Sequence, residues 1–235
     1  MLPLFYSEGL EENSQSVCLD EDNSRHIVQV LRMRSGSALQ LTNGKGGMFS
    51  GEIVKENKKE VEVAIKNYER VEAPQGKISI CLSLLKNANR FEWFLEKATE
   101  LGISELMPII CERTERQHFR ANRMNSILVS AMLQSHQCWL PVLHEPTPFT
   151  LIVEKSTHEQ KFIAHCIEGK KTGIVEVINK SVSSQIILIG PEGDFTTQEV
   201  AFALQHQFLP VALGETRLRS ETAAMVAATL LRLSR

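Results

Sequence analysis

Ile186-Ile-Leu-Ile-Gly-Pro-Glu-Gly-Asp-Phe-Thr-Thr-Gln-Glu199 decides how the chain is read. Its first four residues are all aliphatic with no polar alternation, the pattern of a strand buried on both faces in a parallel sheet. Gly-Pro-Glu-Gly then turns the chain, and Thr196 with Glu199 three residues later makes a capping box, so a helix follows at once. Strand, turn and helix in this order are half of an α/β unit, in which ligands bind beyond the carboxyl ends of the strands. Gly190 and Gly193 let a ligand meet bare backbone, and Pro191 stiffens the turn. By spacing alone this is equally a well-built strand-to-helix turn.

Working outward, four more short apolar runs read as buried strands: Ile78 to Leu85, Leu106 to Cys111, Lys161 to Cys166 and Leu209 to Leu213. Between them lie helical patterns. Phe91, Phe94, Leu95, Ala98 and Leu101 share one helical face and stop at Gly102, and Met124 to Gln134 and Ala223 to Leu233 behave likewise. Strands alternating with helices predict an α/β domain with a largely parallel sheet over residues 74–235.

Residues 1–73 read differently. Leu39 to Asn43, a glycine-rich turn at Gly44 to Gly47, and Met48 to Val54 predict a hairpin, and Glu60 to Ile65 alternates as a half-buried strand does. Ser24 to Arg32 predicts a helix with Ile27, Val30 and Leu31 on one face, capped by Asp22, Asn23 or Ser24. The expectation is a small β-barrel with one helix, joined to the second domain through Glu72-Ala-Pro-Gln-Gly76.

Composition excludes several classes. With 235 residues, 43% of them hydrophobic, the chain can bury a large core, and a net charge of -2 removes nucleic-acid binding by bulk charge. Any RNA contact must be local. Arg25, Arg32 and Arg34 in the first domain and Arg113 and Arg116 in the second are the candidates for phosphate contacts. No apolar run is long enough to span a membrane and the start has no secretory pattern, so a cytoplasmic protein without a membrane partner is expected. The five cysteines lack a C-x-x-C pair and mostly sit in apolar runs, which predicts buried reduced thiols. The histidines lack metal-ligand spacing, so no metal is expected.

A second strand-to-helix turn, Val211-Ala-Leu-Gly-Glu-Thr-Arg-Leu-Arg-Ser-Glu-Thr-Ala-Ala224, presents Arg217 and Arg219 before an alanine-rich helix. Ser220 reads as its N-cap, and Glu221 suits the positive helix end. Alone, it is a capped helix with two solvated arginines. No G-x-G-x-x-G, P-loop or G-x-S-x-G pattern occurs, which removes the support for nicotinamide, P-loop or hydrolase chemistry.

Taken in order, Arg25-His-Ile-Val-Gln-Val-Leu-Arg-Met-Arg34, Lys97-Ala-Thr-Glu-Leu-Gly102, Glu112-Arg113, Ile189-Gly-Pro-Glu-Gly193 and Leu213-Gly-Glu-Thr-Arg-Leu-Arg-Ser-Glu-Thr-Ala223 closely resemble the RsmE family of 16S ribosomal RNA uridine-N3 methyltransferases. The resemblance spans nearly the whole chain. It implies a PUA-like β-barrel over residues 1–73 and a SPOUT domain over 74–235, an α/β fold with a C-terminal trefoil knot. It further implies S-adenosylmethionine as cofactor, a homodimer, and uridine 1498 of 16S rRNA in the small ribosomal subunit as target.

Carried onto this chain, the resemblance implies that Gly190, Pro191, Glu192, Gly193, Leu213, Gly214 and Leu218 wrap the cofactor, with Ala164, His165 and Cys166 as a third wall. Arg219 and Glu221 border that pocket as candidate catalytic residues, Arg219 stabilising the uracil anion and Glu221 orienting it or acting as base. Asp194 stands where a third glycine is common, a position Asp tolerates because it enters left-handed backbone readily. Leu133, His136 and Gln137 depart from the family pattern, and their segment is given no role. Two other readings stay open at this point: a SPOUT methyltransferase for tRNA or 23S rRNA, and a non-catalytic RNA-binding module.

Overall fold

The structure, a computed structural model, describes residues 2–115, 118–169 and 171–235. The chain forms two units. Met1–Ala73 and Met132–Leu140 make the first, and Pro74–Ala131 and Pro141–Arg235 make the second.

In the first unit, β1 (Leu4–Tyr6), β2 (Ser16–Cys18), β3 (Ala38–Thr42), β4 (Gly47–Lys55) and β5 (Glu62–Arg70) form one curled sheet in the order β1-β3-β4-β5-β2. The pairing of β1 with β3 is parallel and the others are antiparallel. Residues on β4 alternate between core and surface, so Phe49 and Ile53 reach the core with Leu39, Leu41 and Val63. The expected hairpin is β3–β4.

The expected helix over 24–32 differs. A short helix, α1 (Glu21–Arg25), starts earlier, because Asp20 supplies the N-cap by accepting from the Asn23 N–H at 2.8 Å. A π-helical turn, His26–Val30, follows, with the Leu31 N–H donating to the His26 carbonyl. The wider turn rotates the apolar residues off one face: Ile27 is fully buried, whereas Val30 and Leu31 are 64% and 40% exposed.

Met132–Leu140 is part of this unit although some sixty residues separate it from β5. The Cys138 carbonyl accepts from the Gly46 N–H and the Leu140 N–H donates to Gly44, both at 2.8 Å. The Trp139 indole N–H donates to the carbonyls of Val71 and Glu72, and the Arg70 guanidinium lies 4.9 Å from the indole centroid.

In the second unit, β6 (Lys77–Ser83), β7 (Glu105–Ile110), β8 (Val142–Leu143), β9 (Thr147–Pro148), β10 (Gln160–Ala164), β11 (Thr172–Gly173), β12 (Ser184–Ile189) and β13 (Leu209–Ala212) form a wholly parallel sheet. Its order is β11-β13-β10-β12-β6-β7-β8, with β9 also on β7. The helices are α2 (Ala88–Glu100), α3 (Ala121–Gln134), whose last residues count with the first unit, α4 (Phe149–Lys155), α5 (Ile174–Val177), α6 (Thr197–Gln205) and α7 (Ser220–Leu233).

One face of the sheet, with Ile163, Ile186 and Leu188, packs against Phe149 and Val153 of α4, Ala203 of α6, and Phe195. Residues of opposite parity face the other way, and α7 packs over β6 and β12 beside α2. This burial on both faces is why the strands read as unbroken apolar runs. Cys81, Cys111 and Cys138 are buried as free thiols, but Cys18 and Cys166 are exposed: Cys18 lies on an edge strand and Cys166 just beyond the end of β10.

Gly46 has φ +87, and a Cβ there would overlap the Trp139 indole. Gly46→Ala therefore both strains the backbone and overpacks the tryptophan, and should cost about 1–3 kcal/mol of stability. Equal urea midpoints for mutant and wild type would show that the indole does not close this unit.

Candidate functional site

Three adjacent parallel strands, β13, β10 and β12, end at the same height, because Ala164 pairs with both Ile189 and Val211. Their following segments leave one sheet edge, the position expected for ligands in an open α/β sheet. Together with the start of α7 they surround a cavity of about 670 Å³, within the range of small-molecule sites.

The loop after β12 is held from several sides. Asp194 has φ +63, the left-handed backbone expected from the sequence. Its Oδ2 accepts from the Cys166 N–H at 2.8 Å and its Oδ1 from the Phe195 N–H at 2.9 Å, tying the β10 and β12 loops to one carboxylate. Phe195 is fully buried next to Phe149, and the capping box of α6 forms as expected, with Glu199 Oε2 accepting from the Thr196 N–H at 2.8 Å. Glu199 Oε1 also accepts from the Glu112 N–H. In the β10 loop, the Lys171 ammonium donates to the carbonyls of His165 and Ile167, each at 2.9 Å.

Ala164, His165, Cys166, Gly190, Pro191, Glu192, Leu213, Gly214 and Leu218 all line the cavity. Gly193 does not: a Cβ there would meet the Arg113 side chain instead of a ligand. Gly214 has φ +149 and open space at its Cβ, so its constraint is backbone conformation and not room.

Around the cavity, polar groups are left for a ligand. Among the described residues, the N–H groups of Gly214 to Leu218 donate to no protein atom. Both ring nitrogens of His165 are buried and make no hydrogen bond of ordinary geometry, although the Ile167 backbone lies near enough to act on the ring. Burial lowers the His165 pKa below the ordinary imidazole value, with Lys171 adding to the effect, so the ring is neutral and offers one donor and one acceptor. Ile189, Leu213 and Leu218 supply apolar wall. Unpartnered donors and acceptors beside apolar surface fit an adenosine group such as that of S-adenosylmethionine.

At the start of α7 the expected cap is corrected. Arg219 occupies the N-cap position without a side-chain hydrogen bond, and Ser220 is the first helical residue, because the extended backbone ends at Arg219. Arg219 is exposed and lines the cavity. Glu221 is buried, and its ion pair is with Arg90 of α2, at 3.5 Å. Arg90 also lines the cavity. Sequence reading missed it, because it lies about 130 residues from Glu221 and no local spacing marks it.

Of the RNA candidates, Arg25 pairs with Glu21 and Asp22, and Arg34 with Glu56. Arg32 is exposed at φ +55. Arg113 donates to the Gly193 carbonyl at 2.8 Å, and Arg116 lies outside the described residues. No group of His, Cys, Asp or Glu among the described residues is placed to hold a metal ion, and no described helix is long and apolar enough to cross a membrane.

Residues 71–232 match the family model of the RNA methyltransferase domain, and residues 19–66 that of the RNA methyltransferase PUA domain. A probable rRNA-methyltransferase from Porphyromonas gingivalis is 35% identical, with a TM-score of 0.90 and both chains fully covered. Ribosomal RNA small subunit methyltransferase E from Neisseria gonorrhoeae, solved bound to S-adenosyl methionine, is 27% identical, with a TM-score of 0.88 over 99% of this chain and 98% of that one. The enzyme of the same name from Buchnera aphidicola (Schizaphis graminum) is 26% identical over 99% of this chain and 96% of its own.

Asp194→Ala removes both acceptors that join the two loops and should destabilise the protein by about 1.5–3 kcal/mol. Asp194→Gly keeps the left-handed backbone and should be less harmful. A wild-type denaturation midpoint for Asp194→Ala would rule out the clamp.

Proposed function

The chain belongs to the RNA methyltransferase family, and we propose that it moves the methyl group of S-adenosylmethionine onto N3 of a uridine in 16S ribosomal RNA, the position 1498 type. The enzyme is an S-adenosylmethionine-dependent rRNA methyltransferase acting on the small-subunit RNA. The uridine and its N3 atom are the finer part of the reading. The observation that carries it is the cavity itself, where three level strand ends and the start of α7 leave bare backbone donors, a neutral His165 and the three arginines Arg90, Arg217 and Arg219 around one space.

The bound cofactor supplies an electrophilic methyl group. The Gly214–Leu218 backbone and His165 hold its polar edges, while Ile189, Leu213 and Leu218 cover its apolar faces. N3 of uridine keeps its proton at neutral pH, so cations that stabilise the uracil anion lower the barrier. Arg219 takes that role at the cavity wall, aided by the positive end of α7. Since N3 lies on the pairing edge, the target base must be unpaired or flipped out.

Phosphate contacts from Arg25, Arg32, Arg34 and Arg113 would position the RNA without reading its bases. The same reading includes a homodimer, as the family resemblance implies. It also includes a cytoplasmic location, where ribosomal RNA is found, and a knotted C-terminal segment. For the knot, the support is that the chain leaves β13 and reaches α7, which packs beyond β10 on β12 and β6.

Mapping methylated nucleotides in a deletion strain should reveal the loss of one N3-methyluridine from 16S rRNA, and an unchanged map would reject the target. In single turnover with saturating RNA and cofactor, Arg219→Ala should be slower by about a hundredfold or more with cofactor affinity retained. Arg219→Lys should recover part of the rate, since it keeps charge but loses the planar fork. An unchanged rate in folded Arg219→Ala would remove its catalytic role.

A further inference from the structure

We propose that Arg90 is a second catalytic cation of this site, contacting the uracil of the methyl acceptor, and that Glu221 is the positioning residue that aims it. The inference rests on the uridine-N3 reading above and deepens it.

Arg90 stands in the first turn of α2, yet its side chain reaches the cavity lined by Arg219, Ser220 and Ala223. Its Nε lies 3.5 Å from Glu221 Oε1, and among the described residues its two Nη groups donate to no protein atom. Arg123 and Glu92 provide an internal contrast. There the guanidinium closes on the carboxylate through Nε at 2.6 Å and Nη2 at 2.7 Å, the two-point pairing of a structural ion pair. Arg90 is instead held loosely by its Nε edge, which leaves the Nη edge for a ligand.

Glu221 fits the same arrangement. Its residue is only 8% exposed and its Oε2 is buried without a partner, a costly state for a carboxylate unless a nearby cation compensates it. The start of α7 gives part of that compensation and Arg90 the rest. Glu221 is not among the residues lining the cavity, so it acts on the substrate through Arg90 and not by contact.

The chemistry calls for two cations. The N3–H bond gives its proton to solvent water, and the negative charge spreads onto O2 and O4, which flank N3 on opposite sides. The N3 electron pair then forms the bond to the methyl carbon while the carbon–sulfur bond breaks, its electrons remaining on sulfur. The methylated uracil is neutral, so groups at O2 and O4 favour the anion and the transition state over both substrate and product. One guanidinium cannot reach both oxygens, and Arg90 and Arg219 come to the one cavity from different elements.

The test is single-turnover methyl transfer by the full-length protein at saturating cofactor and RNA, with nucleoside products identified by mass spectrometry. Two RNAs are compared, one with uridine and one with 5-fluorouridine at the target, whose N3 proton is more acidic and whose anion needs less help. Arg90→Ala should slow transfer to uridine about a hundredfold, and clearly less for 5-fluorouridine. Arg90→Lys should recover part of the rate, and Glu221→Gln should give a smaller defect with the same dependence on the base. Should Arg90→Ala not fold, Arg90→Lys and Arg90→Gln carry the comparison. A wild-type rate, an equal loss on both RNAs, or a defect confined to cofactor affinity would overturn the role of Arg90 while leaving the uridine-N3 reading intact. A wild-type product other than N3-methyluridine would overturn that reading and this inference with it.

Discussion

One carboxylate joins the two loops on which the site depends. Asp194 accepts from the N–H of Cys166, which follows β10, and from the N–H of Phe195, which leads into α6. Parallel strands in level register bring their loops to the same edge but leave the backbone groups of those loops without a ladder to join. A fixed acceptor between them solves this locally. The left-handed backbone at Asp194 makes the solution possible, since it folds the side chain back over the loop, and a short polar side chain tolerates that conformation. The next residues lock the far end: Phe195 enters the core against Phe149, and Thr196 and Glu199 cap α6.

Around this clamp the cavity combines backbone donors with charged side chains. The ends of three strands and the unpartnered N–H groups of Gly214 to Leu218 supply fixed dipoles, which do not have to reorganise when a ligand charge develops. The guanidinium groups at the cavity come from two parts of the chain, Arg90 from α2 and Arg217 and Arg219 from the segment between β13 and α7. Glu221 is tolerable in its buried position because it sits in the first turn of α7 and beside Arg90.

The segment Met132–Leu140 has a different lesson. Its departures from the family pattern left it without a role, yet it carries Cys138, Trp139 and Leu140, which meet Gly44, Gly46 and Val71 in the first unit. Gly46 must be bare because an indole lies over it, and that indole is more than ninety residues further along the chain. The segment 24–32 differs from the expected helix for a more local reason. Capping rules offered several polar residues in a row, and the structure uses Asp20, outside the expected set, followed by a π-helical turn that changes which residues share a face.

What depended on neighbours in the chain was legible from the chain alone. Buried parallel strands announced themselves as unalternating apolar runs, the capping box at Thr196 by two residues three apart, and the left-handed Asp194 by its place in a glycine turn. Resemblance then pointed to the segments that line the cavity. What depended on pairs distant in sequence was decided only by tertiary structure: Arg90 against Glu221, Trp139 over Gly46, and Arg113 turned onto the Gly193 carbonyl. The physical reason is that periodicity and capping are set within a few residues, whereas side-chain pairing depends on which surfaces the packed sheet and helices bring together.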